Sequence, residues 1–103
     1  MAQRGLPFIK FIIQAPLNQA RDLFIKVTET QVTAIAEICY NLLYGDLEPD
    51  LTQDLKPYRR LIRELADKNL SFTQRRKLLV KSMESTLRVL RLSESILERV
   101  DRK

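Results

Sequence analysis

The chain has 103 residues, 45% hydrophobic and 30% charged, which suits one domain with one modest core and excludes a disordered tail. Two glycines and four prolines are too few for the frequent tight turns of a β-sandwich or barrel; no histidine and a single cysteine exclude His-based acid–base catalysis, His/Cys metal sites and an internal disulfide. The net charge of +5, with a pI near 9.7, points to an anionic partner: nucleic acid, an acidic membrane face or an acidic protein.

The first apolar stretch, Leu6 to Ile13, is short and interrupted by Lys10, and no small-residue cleavage pattern follows it, so it does not read as a signal peptide. No apolar run approaches the ~20 residues of a membrane span. Pro16 sits at or just before the first turn of a helix whose Leu17, Ala20, Phe24 and Val27 follow at helical spacing. Thr28 with Gln31 reads as a capping box opening a helix from about Glu29 to Tyr44, with Gly45 as its expected left-handed stop. Val32, Ile35, Ala36, Ile38, Cys39, Leu42 and Leu43 share one arc of that helix, opposite Thr30, Thr33, Glu37 and Asn41. Cys39 lies within the apolar arc and reads as a core residue, not a nucleophile.

An acidic linker follows, Asp46 to Asp50. It lacks the glycine and terminal glutamate of a calcium loop. A third helix is expected from about Leu51 to Lys68, with Pro57 kinking it or marking its effective start. Its sequence sorts into two faces. Leu55, Tyr58, Leu61, Ile62 and Leu65 form an apolar arc, while Lys56, Arg59, Arg60 and Arg63 form a basic stripe. Arginine forks bind phosphate bidentately, although a charged face of this size is also what a merely solvated helix presents.

Ser71 with Gln74 makes a second capping box. From there nothing breaks a helix before the C-terminus, so the last helix is expected over about 71–101, some 30 residues or ~45 Å at 1.5 Å per residue. It opens with Arg75, Arg76 and Lys77, then Lys81, although bases in a first turn oppose the helix dipole. That placement suggests selection for anion binding. Leu79, Met83, Leu87, Leu90, Leu97 and Val100 trace an apolar seam widened by Val80, Leu92 and Ile96. The seam either covers the domain's own core or, through residues 87–100, docks a partner or a second copy.

Basic charge is concentrated. Residues 55–91 carry eleven bases against three acids, whereas residues 46–54 carry four acids and no base. Base-specific reading and aromatic stacking look weaker than phosphate contact, since Tyr58 and Phe72, the aromatics nearest the bases in sequence, both suit the core.

From Thr28 onward the runs TETQVTAIAEICYNLLYG, LKPYRRLIRELADKN and LSFTQRRKLLV resemble a family of short helical proteins of Polinton- and adintovirus-like elements and related animal viral reading frames. Asn41, Leu42, Leu43 and Gly45 match an N-L-L-x-G motif. Lys56, Tyr58, Arg59, Arg60, Arg63, Leu65, Ala66, Asp67 and Lys68 match a basic helix motif. Arg75, Arg76, Lys77, Leu78 and Leu79 match a third, basic segment. The resemblance spans roughly residues 28–80. It implies a viral or mobile-element setting and a virion- or genome-associated role.

The expected fold is a single all-α domain over 1–103: a compact bundle of four to five helices with a long C-terminal helix. The expected function is non-enzymatic binding of nucleic acid, DNA or RNA, in genome packaging, with no cofactor and no metal. Its contacts would be Lys56, Arg59, Arg60, Arg63, Lys68, Arg75, Arg76, Lys77 and Lys81. The alternative is a helical protein-interaction or oligomerisation module that meets a protein partner or another copy through Leu87, Leu90, Ile96, Leu97 and Val100. A lone cysteine points to a reducing, intracellular compartment, nucleus or cytoplasm.

Overall fold

The computed structural model describes residues 6–94. Its elements are α1 (Leu6–Gln14), α2 (Leu17–Ile25), α3 (Glu29–Tyr44), α4 (Pro49–Leu55), α5 (Arg59–Ala66), α6 (Phe72–Lys81) and α7 (Met83–Leu92), with a 3-10 turn, Lys56–Tyr58, joining α4 to α5. No strand occurs among the described residues.

Both capping boxes form. The Gln31 N–H donates to Thr28 Oγ1 at 3.2 Å, and the Thr28 N–H donates to Gln31 Oε1 at 2.9 Å. Ser71 and Gln74 repeat the pair at the same two distances. Each box satisfies two amide donors that a helix start leaves unpaired.

The stretch noted only for its apolar character folds as α1, and its Ile9 and Ile12 are wholly buried. They join Phe24 of α2, Ile35 and Cys39 of α3, Leu65 of α5, Leu79 of α6 and Leu90 of α7 in one contiguous core. α3 packs chiefly against α5. α1 and α2 both pack on α7, and α2 also packs on α6. The Cα radius of gyration is 12.5 Å, close to the ~13 Å of a compact 100-residue globule.

Three expectations change. The helix expected from Leu51 to Lys68 begins at Pro49, ends at Ala66 and is interrupted by the 3-10 turn. Pro57 lacks the N–H that a continuous helix needs, and its ring crowds the carbonyl one turn back. Gly45 does end α3, but in extended backbone with φ −84° and ψ 164°, not in the left-handed region. Glycine is required there by close approach: its N–H donates to the Asn41 carbonyl at 2.8 Å, and a Cβ would stand 2.6 Å from that same oxygen.

The third change concerns the long last helix, which is two helices divided at Ser82. The Ser82 backbone sits at φ −113° and ψ 34°. Its N–H and its hydroxyl both donate to the Leu78 carbonyl, at 2.9 and 2.5 Å. A hydroxyl bonded back one turn loosens the local ladder and bends a helix. The division lets α7 pack against α1, α2, α4 and α5. The described part therefore has seven helical segments in place of four to five longer helices, and the segment expected beyond Glu94 lies outside the described residues.

Candidate nucleic-acid interface

α5 has a strongly two-sided composition. Ile62, Leu65 and Ala66 are buried, while Arg59, Arg60 and Arg63 are exposed. The apolar face is held on α3, which forces the arginines outward. Arg60 Nε lies 3.5 Å from Glu64 Oε1 in a pair whose side chains are 95% and 47% exposed. Such a pair is worth under about 1 kcal/mol and competes poorly with a polyanion. Among the described residues, no ion pair engages Arg59 or Arg63.

Arg59 and Arg63 line a cleft of about 460 Å³ with Tyr40, Leu43, Tyr44, Ala66, Asp67 and Lys68. Its two walls come from α3 and α5. Tyr40 and Tyr44 are one turn apart on α3, as Arg59 and Arg63 are on α5, so two aromatic rings and two guanidinium groups share one opening. The tyrosine ring centroids are 4.7 Å apart with planes tilted by 51°. Lys68 Nζ stands 5.1 Å from the Tyr40 centroid, a cation–π distance. Three cations and one acid, Asp67, therefore line the opening. Asp67 Oδ1 accepts the Asn69 N–H at 2.9 Å.

The remaining basic residues divide. Lys56, Arg76, Lys77 and Lys81 are exposed but do not line this cleft. Lys81 lies on a second cleft, between the start of α2 and the α6–α7 junction. Arg75 is half-buried and turned inward: its Nε donates to the Leu65 carbonyl at 3.1 Å, and a terminal nitrogen donates to the Asp67 carbonyl. It caps the C-terminal end of α5, where carbonyls lack helical partners and a cation meets the negative end of the dipole. This contact explains a base in the first turn of α6 without any anion. Arg91 does the same for α1, donating to the Ile13 and Ala15 carbonyls at 2.9 and 3.1 Å.

Of the residues expected at an apolar partner surface, two lie in the described part and both face inward. Leu87 is 2% exposed and Leu90 is wholly buried, because α7 lies against the bundle and its seam covers the domain's own core. Ile96, Leu97 and Val100 lie outside the described residues. Tyr40 and Tyr44 were absent from the sequence-derived site. Their signal was an aromatic pair four residues apart that falls off the apolar arc of α3, beside Glu37.

Burial holds the Cys39 thiol up to about 12, against a weaker opposing pull from Arg75. It stays protonated and inert near neutral pH. No group of His, Cys, Asp and Glu among the described residues is arranged to hold a metal ion, and none of the helices is long and apolar enough to cross a membrane. No protein-family model, curated protein or solved structure matches the chain.

Proposed function

We propose that this protein binds nucleic acid without catalysis, through the basic face of α5 and the cleft beside it. Arg59 and Arg63 are the primary phosphate contacts, with Arg60, Lys56 and Lys68 adding charge along the same ridge. Arg76, Lys77 and Lys81 contribute to the field rather than to the cleft. The observation that carries this reading is the state of Arg59 and Arg63: exposed, side by side on α5, and engaged by no carboxylate among the described residues.

Contacts of this kind read phosphate, not sequence, so binding is expected to weaken steeply with salt as counterions return to the strand. The family resemblance over residues 28–80 supplies the setting, a genome-packaging complex of a virus or mobile element. The reading based on docking a partner helix has less support, since Leu87 and Leu90 are buried.

Retention on immobilised DNA at low salt tests the proposal. The triple variant Arg59→Glu, Arg60→Glu, Arg63→Glu should elute at markedly lower salt than the parent protein. All three positions are exposed, so helix content by circular dichroism should be unchanged. Equal retention of the two proteins would overturn the assignment.

A further inference from the structure

We infer that the α3–α5 cleft selects single-stranded nucleic acid, stacking an unpaired base on Tyr44 while Arg59 and Arg63 hold the flanking phosphates. This rests on the phosphate-binding reading above and adds a choice between strand forms.

Phosphate contact alone gives no reason for aromatic rings at the opening. Tyr44 is 73% exposed and Tyr40 is 41% exposed. Among the described residues, Phe11, Leu17 and Ile25 are the other exposed large apolar side chains, and none of them lines this cleft. The two tyrosines support each other, with centroids 4.7 Å apart, and Lys68 occupies the Tyr40 ring by its cation–π contact. Tyr44 is thus left as the ring with most of its surface open. An unpaired base presents a π-face to such a ring, and stacking of this kind tolerates any sequence. A duplex keeps its bases stacked on one another and offers the cleft only its backbone. The cleft volume of about 460 Å³ falls in the usual range for small-ligand sites, about 300–1,000 Å³, which suits a base with part of its sugar. Asp67 at the rim repels phosphate locally, so the phosphates are expected on the Arg59–Arg63 side.

Fluorescence anisotropy at low salt, with three labelled probes of equal length, tests this. The probes are a thymidine strand, a strand of the same length that is abasic throughout, and a duplex. The parent protein should bind the thymidine strand at least about fivefold more tightly than the abasic one, the lower end of one stacked base. Tyr44→Ala should bind the thymidine and abasic strands alike, and Tyr44→Phe should restore the preference. Equal affinity of the parent for base-bearing and abasic strands overturns the inference, as does tighter binding of the duplex. Either of those results leaves the phosphate-binding proposal standing, whereas failure to bind all three probes removes both.

Discussion

Arg75 closes the helix that precedes its own: its Nε donates to the Leu65 carbonyl at 3.1 Å, across the turn between α5 and α6. The same guanidinium reaches the Asp67 carbonyl. A basic residue in what looked like an anion-binding cluster is therefore part of the scaffold that holds α5 in place. Arg75→Ala should lower stability by on the order of 1–2 kcal/mol, the loss of charge-assisted hydrogen bonds discounted for partial exposure. Its affinity for a labelled oligonucleotide should stay near the parental value once the protein is folded. A large affinity loss at unchanged stability would return Arg75 to the binding surface.

Arg91 bridges the Ile13 and Ala15 carbonyls with two nitrogens of one planar group. Lysine keeps the charge but not the fork. Arg91→Lys should therefore cost about 1 kcal/mol in urea unfolding, most of what Arg91→Ala costs. Full stability in the lysine variant would mean that charge alone serves the end of α1.

Much of the scaffold was legible in the sequence. The two capping boxes, the apolar arc of α3 and the two-faced composition of α5 are local patterns, and local hydrogen bonds and periodicity decide them. The division at Ser82 was not legible. Serine is tolerated inside helices, and the bend joins the back-bonded Ser82 hydroxyl to the packing of α7 against α1, α2, α4 and α5, which the sequence does not display. The paired tyrosines were visible in the text, but their meeting with Arg59 and Arg63 depends on how α3 lies on α5, a tertiary fact. The same holds for Arg75 and Arg91, whose partners lie ten and more than seventy residues away.

Leu90 is wholly buried on α7, so Leu90→Ala should destabilise the fold by about 2–5 kcal/mol, a lost transfer term plus a cavity. The folded variant should sediment as the parent does. A change in association state without loss of stability would instead place the α7 seam at an interface.

Cys39 gives a pH prediction. Burial raises its pKa from 9.0 to about 12, so the folded state holds the proton more tightly than the unfolded chain does. The stabilisation from this group is complete below pH 9 and declines as pH rises toward 12, at up to about 1.4 kcal/mol per pH unit. Comparing parent and Cys39→Ala isolates it: unfolding free energies should differ by a constant below pH 9, and the gap should shrink above it. A gap that stays constant to pH 11 would mean that the thiol is not shielded.

The proposed function rests on direct contact of Arg59 and Arg63 with phosphate. Its most direct measurement is the salt dependence of affinity for a single-stranded oligonucleotide, parent against Arg59→Ala, Arg63→Ala. Each lost phosphate contact should remove about 0.7 from the slope of log affinity against log salt, so the double variant should be shallower by about 1.4. Parallel lines for the two proteins would mean that neither arginine touches phosphate.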